Sequence, residues 1–198
     1  MTVPKKVDHH ARRTQIADAL MRIAAAQGLE AVSLRHVAAE AGVSAGMVQH
    51  YFRTKDEMMT FALGVVSDRV QSRIAAEVAG GTPSPKGIVR AVLTQMLPLT
   101  EPRLLEGQVA LAFFAYAAHK PEFASGLHET TAGMQAFIAD QIRAATAAPT
   151  PLDPDHAAMV LLAVVEGLGL YIVSHQYPPD AALAVFDTHL DAVFGPSN

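Results

Sequence analysis

The sequence predicts an all-α protein in two parts, a three-helix domain at residues 1–60 and a larger helical domain at residues 61–198. Apolar residues recur every three or four positions along most of the chain, which is the spacing of one face of a helix. Stretches with this spacing begin at Ser, Thr, Asp or Pro and end at Gly or Pro, as helices do. No segment shows the two-residue alternation of apolar and polar side chains that predicts a strand.

The first helix is predicted at residues 12–27. Three apolar residues, Ile16, Leu20 and Ile23, fall on one face of it. Gly28 follows at the position where a helix end favours glycine.

Two short helices around a tight turn are predicted next. The apolar spacing of residues 34–41 predicts the first helix, and Gly42 falls where its C-terminus needs a residue that tolerates positive φ. Ser44 is a favourable N-cap for the second helix, at residues 45–52. A helix, a turn of about four residues and a second short helix form a helix-turn-helix, whose second helix enters the major groove of DNA. This segment therefore predicts DNA binding.

Every later segment also has the pattern of a helix. Thr54 and Glu57 have the spacing of a capping box, which opens a long helix at residues 55–78. Residues 80–85 are the clearest break in the sequence. The helices expected after the break lie at residues 85–98, 102–119, 121–148, 154–175 and 180–194.

The composition indicates a globular protein with an uneven charge distribution. Hydrophobic residues make up 51% of the 198 residues, and the absence of cysteine excludes disulfides and thiolate metal sites. No apolar run follows a basic start, so a cytoplasmic protein without a signal peptide is expected. The net charge is −4, but residues 1–60 hold eight Lys and Arg against six Asp and Glu, whereas the other 138 residues hold seven against thirteen. Since DNA needs only a local basic face, this division assigns DNA contact to the N-terminal part.

A joint pattern of residues extends over residues 12–60. Its members are Arg13, Ile16, Ala19, Leu20, Gly28, Ser33, Leu34, Val37, Ala38, Ala41, Gly42, Val43, Ser44, Gly46, Tyr51, Phe52, Lys55, Glu57 and Met58. This pattern resembles the N-terminal domain of the tetracycline-repressor (TetR) family of transcriptional regulators. Many members carry Tyr where this chain has Gln49, and the run from Gln49 to Phe52 is similar to a subgroup that includes the betaine-pathway repressors.

Nine side chains are predicted to contact double-stranded DNA. Those expected to reach base edges are Arg35, Ala45, Gly46, Gln49 and His50, because Arg pairs with guanine, Gln pairs with adenine and small residues allow close approach. Those expected at phosphates are Ser33, Ser44, Tyr51 and Lys55. The two serines precede helix N-termini, which bind anions, and a lysine in the first turn of a helix needs a nearby anion. The resemblance implies the same phosphate role for Tyr51 and Lys55.

Residues 157–173 are almost continuously apolar and allow two interpretations. Seventeen residues with Glu166 among them are marginal for a membrane span, which needs about 20. A subunit interface would equally bury a helix that is apolar all round. The resemblance implies that the helices at about 154–175 and 180–194 pair with their twofold mates in a homodimer, and no membrane partner is expected. Leu162 and Val165 are the positions predicted to lie in that interface.

The resemblance also implies a mostly apolar pocket for a small-molecule effector in the C-terminal helices. The residues predicted to line it are Met96, Phe113, Tyr116, His119, Phe137, Glu166 and Tyr171, with Phe114, Phe123 and Met134 as further apolar candidates. The expected function is that of a homodimeric repressor that such a ligand releases from a palindromic operator. A dimeric DNA-binding regulator that responds to no ligand remains an alternative.

An enzyme is the least favoured interpretation. Residues 42–46 fit the G-x-S-x-G pattern of serine hydrolases, with Ser44 as the nucleophile, but that pattern requires a preceding strand. His128 and Glu129 begin a zinc motif that Ala132 breaks. No cofactor, metal or catalytic residue is therefore predicted.

Overall fold

The computed structural model describes residues 9–79, 84–145 and 152–195. These residues form helices joined by short turns and contain no strand, which confirms the all-α prediction. The helices are α1 (His9–Gln27), α2 (Leu34–Ala41), α3 (Ala45–Tyr51), α4 (Lys55–Val78), α5 (Pro85–Leu93), α6 (Glu101–Ala117), α7 (Pro121–Ala145), α8 (Pro154–Val173) and α9 (Pro179–Phe194). The chain divides into two compact units between Arg69 and Val70, inside α4.

The predicted helix at residues 85–98 is shorter than expected. After α5 ends at Leu93, a 3-10 turn spans Thr94–Met96 and the backbone becomes extended at Leu97. Pro98 explains the early end, because proline disfavours helical conformation in the residue before it. The predicted continuation of α7 to residue 148, and most of the loop at 147–154, lie outside the described residues.

Helix α8 ends two residues earlier than residue 175. His175 adopts a left-handed conformation with φ of 57°, and the amide of Gln176 then donates to the carbonyl of Tyr171 at 2.8 Å. This is the geometry of a helix C-terminus that usually carries glycine. Its occurrence at a histidine leaves no sequence signal for the end of the helix.

The N-terminal unit is built around α1. Ile16, Leu20 and Ile23 are buried as their spacing predicts, together with Val48 of α3 and Met58 of α4. Polar contacts also join α1 to α2, since the Gln15 side-chain amide donates to the carbonyl of Ala41 at 2.9 Å. This packing fixes the position of the helix-turn-helix.

The C-terminal unit packs α5, α7, α8 and α9 around a second apolar core. Core residues from α8 include Leu161, Leu162 and Val165. The expectation that Leu162 and Val165 lie in a subunit interface is wrong, because they are only 5% and 0% exposed within a single chain. The spacing of apolar residues does not distinguish the faces of α8, since the helix carries apolar side chains on every face.

Candidate nucleic-acid interface

The turn between α2 and α3 has the geometry that the sequence predicts. Gly42 adopts φ of 67° and ψ of 32°, and its amide donates to the carbonyls of Ala38 and Ala39. The amide of Val43 donates to Ala38 at 2.9 Å, which completes the cap of α2. A left-handed glycine between two short helices turns the chain within a few residues, so that α3 packs across α2.

Serine side chains cap both helices of the motif. The Ser33 hydroxyl accepts from the amide of His36 at 3.2 Å, and the Ser44 hydroxyl accepts from the amide of Met47 at 3.2 Å. Each hydroxyl keeps its own hydrogen for donation to another acceptor. Since both serines are exposed, each can donate to a phosphate oxygen without giving up its capping bond.

One face of α3 is directed to solvent. Val48 is fully buried, whereas the predicted base-contacting residues of this helix, Ala45, Gly46, Gln49 and His50, are all exposed. Residues three and four positions apart are neighbours on a helix surface, which places Gln49 beside both Ala45 and Gly46, and His50 beside Gly46. Arg35 of α2, in the same unit, is also exposed. The structure thus places four of the five predicted base contacts on the exposed surface of α3, and contact of all five with bases stays a prediction.

Two of the predicted phosphate contacts have partners inside the protein. The Tyr51 ring is half-buried and lies 4.7 Å from the His9 ring between centroids. The Lys55 ammonium donates to the carbonyl of Leu29 at 2.6 Å. This carbonyl oxygen already stabilises the charge of Lys55, so the position of Lys55 in the first turn of α4 does not by itself require an external anion.

Arg13 holds a central position that the sequence reasoning left without a role. Its guanidinium carbon lies 4.6 Å from the centroid of the Phe52 ring and 4.4 Å from that of Phe61. It also donates to the carboxylate of Glu57 at 3.2 Å. Two signals in the sequence pointed to Arg13: its membership of the joint pattern over residues 12–60, and its three-residue spacing from Ile16, which places it beside the buried face of α1.

The predicted effector residues differ in burial, and their contact with a ligand stays a prediction. Phe113 is buried, and Tyr116 is half-buried with the Lys120 ammonium 6.0 Å from its ring centroid. The other predicted residues are exposed: Met96, His119, Phe137, Glu166 and Tyr171. Of the further candidates, Phe114 is exposed and Met134 is half-buried.

A separate cleft of about 500 Å³ lies between the start of α6 and the end of α8. Pro98, Leu104 and Ile172 give it apolar walls, and Glu101 and Tyr177 add polar groups. None of the seven predicted effector residues lines it. The ring of Tyr177 contacts that of Tyr171 with 4.9 Å between centroids and 49° between ring planes, so the two aromatic groups form one surface.

The carboxyl group of Glu166 has a raised pKa. Its side chain reaches solvent, but the surrounding apolar helix removes part of its hydration and raises the pKa of the carboxyl above its ordinary value of 4.5. A carboxyl with a raised pKa on an apolar surface is a candidate for burial against a ligand or another subunit.

The geometry around Ser44 does not form a hydrolase site. A helix, α2, precedes the Gly42–Gly46 pattern, and Ser44 serves as the N-cap of α3. Within residues 9–79, 84–145 and 152–195, no group of three or more His, Asp or Glu side chains could hold a metal ion.

Comparisons with known proteins identify the family. Residues 85–195 match the family described as BetI-type transcriptional repressor, C-terminal, and residues 16–60 match that of bacterial regulatory proteins, tetR family. The chain belongs to the TetR family. As a TetR-family protein it is a DNA-binding transcriptional repressor and not an enzyme, which confirms those predictions.

The TetR-family relatives named below cover between 85% and 94% of the chain. The HTH-type transcriptional regulator PksA of Bacillus subtilis is 38% identical over 170 residues, which cover 85% of this chain and 82% of PksA. A transcriptional regulator from Rhodococcus has a crystal structure that is similar with a TM-score of 0.80 at 34% identity, over 94% of this chain and 99% of that one. A regulator from Saccharomonospora viridis, crystallised in complex with choline, shares the fold with a TM-score of 0.79 at 19% identity, over 91% of this chain and 96% of that one.

Proposed function

We propose that the protein acts as a homodimer that binds a palindromic operator and leaves it when a small molecule binds the C-terminal domain. The observation that carries the proposal is the exposure of large apolar side chains on α8 and α9. Met159 and Val160 are each 54% exposed, and Leu170 and Val185 are each 45% exposed. A single chain would leave this surface in water, whereas a twofold-related copy would cover it.

Helix α8 supports an interface rather than a membrane span. By length and composition it is the one helix in the described part of the chain that could cross a bilayer. Its Leu161, Leu162 and Val165 side chains already pack in the protein core, however. Only the opposite face needs a partner, and the twofold mate of the same helix supplies one of matching apolar character. A regulator that works on DNA in this form belongs in the cytoplasm.

A dimer would place two copies of α3 on one operator. In dimeric helix-turn-helix proteins the two recognition helices read half-sites about 34–36 Å apart, so a palindromic site matches the twofold axis. Helix α4 is continuous between the two units, since their division falls between Arg69 and Val70. We infer that this helix transmits a change in the C-terminal domain to the recognition helices.

The releasing ligand would be small, with a largely apolar body. Choline, which the Saccharomonospora viridis protein binds, is the first compound to test, because the acidic C-terminal part of this chain favours cations over anions. Release requires that the ligand bind the free dimer more tightly than the operator-bound dimer. The predicted lining residues and the cleft beside Tyr177 are the two candidate places for it.

The proposal is tested with DNA from upstream of the protein's own gene. Fluorescence anisotropy would measure binding to this DNA against random competitor, across a range of salt concentrations, with and without choline. We expect tight, competitor-resistant binding by a dimer and a rightward shift of the binding curve when an effector is present. Equal affinity with every quaternary ammonium and apolar compound tried would favour the regulator that responds to no ligand. A monomer on DNA, measured by light scattering, would contradict the dimer.

A further inference from the structure

We propose that Arg13 is a positioning residue for DNA recognition, which fixes the C-terminal end of α3 without contacting DNA. Arg13 lies on α1, and the residues it contacts lie at the end of α3 and on α4. Its side chain therefore joins all three helices around the recognition helix. This role goes beyond the established DNA binding, and it does not depend on a dimer or an effector.

The first argument is the aromatic contact. Phe52 and Phe61 lie with 5.5 Å between ring centroids at an angle of 59°, and the Arg13 guanidinium packs within 4.6 Å of both centroids. A guanidinium is planar and weakly hydrated, so it stacks on aromatic faces better than an ammonium does. Phe52 is the C-cap residue of α3 and is fully buried. The contact thus holds the residue at which the recognition helix ends.

The second argument is the ion pair with Glu57. One carboxylate oxygen of Glu57 accepts from Arg13 at 3.2 Å, and the other accepts from the backbone amide of Arg53 at 2.9 Å. In an ordinary capping box the amide of Thr54 would donate this second bond, and here the amide of Arg53 donates it. The other half of the box is ordinary, since the amide of Glu57 donates to the Thr54 hydroxyl at 3.0 Å. The carboxylate therefore ties Arg13 directly to the connection between α3 and α4.

The third argument is that α3 has few other anchors. The helix has seven residues, and Val48 is the only buried side chain among them. Its N-terminal end follows the turn at Gly42, and its C-terminal end is held by the buried Phe52 and by the contact of Tyr51 with the His9 ring. A small rotation of that end would move Gln49 and His50 relative to the base edges, and direct readout requires hydrogen-bond geometry.

One buried donor of Arg13 shows that the residue is not optimised for stability. The Nε atom of Arg13 is buried and has no hydrogen-bond partner. A buried donor without a partner lowers stability, so an apolar side chain of similar length should be tolerated by the fold. The arginine is thus better suited to fixing geometry than to stabilising the domain.

The test compares Arg13→Met with Arg22→Met. Arg22 is a matched control on the same helix, and its guanidinium pairs with Glu40 at 2.6 Å. The DNA would be an operator selected in vitro from random double-stranded sequences by the wild-type protein, with random DNA as the non-specific ligand. We expect Arg13→Met to lower operator affinity about tenfold and to leave non-specific affinity and its salt slope unchanged. Arg13→Lys, which can keep the ion pair but not the planar stacking, should fall between, and Arg22→Met should match the wild type.

Two outcomes would overturn the proposal. Unchanged operator preference in Arg13→Met would show that α3 is held without Arg13. Lower affinity for both DNAs with a shallower salt slope would show instead that Arg13 contacts a phosphate. If circular dichroism shows that Arg13→Met is unfolded, Glu57→Gln and Arg13→Lys decide together. Glu57→Gln keeps an acceptor for the Arg53 amide but removes the ion pair, and Arg13→Lys removes the planar stacking. Full operator preference in both variants would reject the role.

Discussion

At the scale of single residues, two glycines four positions apart in the helix-turn-helix have different roles. Gly42 has φ of 67°, a conformation that L side chains rarely adopt, whereas Gly46 lies inside a regular helix. A Cβ atom at either position would have no protein atom within 4 Å. Backbone conformation therefore decides the effect at Gly42, and contact with DNA decides it at Gly46.

We expect Gly42→Ala to lower the free energy of unfolding by about 1–2 kcal/mol, because of the left-handed backbone. Gly46→Ala should raise it by up to about 1 kcal/mol, since alanine favours helix, and should weaken operator binding if α3 lies close to the groove. Urea denaturation and operator binding of the two variants would measure both effects. A stable Gly46→Ala variant with wild-type affinity would show that this part of α3 does not closely approach the bases.

Gln49 is the residue most directly linked to sequence discrimination. It is exposed on α3, and a glutamine pair to adenine contributes about 1–3 kcal/mol of discrimination against a wrong base. Gln49→Ala should therefore lose preference at one position of each half-site, measured by binding to single-base variants of the operator. Gln27→Ala, an exposed glutamine at the end of α1, is the control. Retention of every base preference would place Gln49 outside the groove.

At the scale of elements, α8 has one face in the core of its own chain and an opposite face exposed to solvent. A test of the interface must change a residue on the exposed face. Val160→Asp changes an exposed apolar position and, if the proposed dimer forms through this face, should yield monomers while leaving the fold intact. Leu111→Asp, at an apolar residue of α6 that is 43% exposed, should remain dimeric. Sedimentation would measure the mass, and circular dichroism the helix content. A folded, dimeric Val160→Asp variant would move the interface elsewhere.

The sequence predicts which segments form helices better than it predicts where a helix ends or which of its faces is buried. The helix-turn-helix and α4 were predictable because caps such as Ser44 and Thr54 act on neighbouring residues. The end of α8 was not, because a histidine takes the place of the expected glycine. The role of Arg13 was also hidden, since its contact with Glu57 joins residues 44 positions apart and leaves no local pattern.

At the scale of the whole molecule, Glu166 predicts how stability changes with pH. Partial burial raises its pKa above the ordinary value of 4.5, so the folded protein binds the proton more tightly than the unfolded chain does. The stabilisation is present at acid pH and is lost as the pH rises from the unfolded to the folded pKa. We therefore expect Glu166→Gln to become more stable relative to the wild type as the pH rises through this range.

Chemical denaturation of the wild type and Glu166→Gln at a series of pH values would measure this difference. Glu129→Gln, at an exposed glutamate of α7, is the control. A wild type that gains stability over Glu166→Gln with rising pH would mean that the carboxylate is paired with a cation and not merely desolvated.

Because α8 has one buried and one exposed apolar face, the free energy of folding would be coupled to that of subunit association. The same twenty residues supply core side chains to their own chain and the apolar surface that a second chain would cover. When association buries surface that the folded monomer exposes, mass action adds to stability as concentration rises. A repressor present in few copies would then be less stable than the same repressor at high concentration. A newly made subunit would gain stability when it associates with a second subunit.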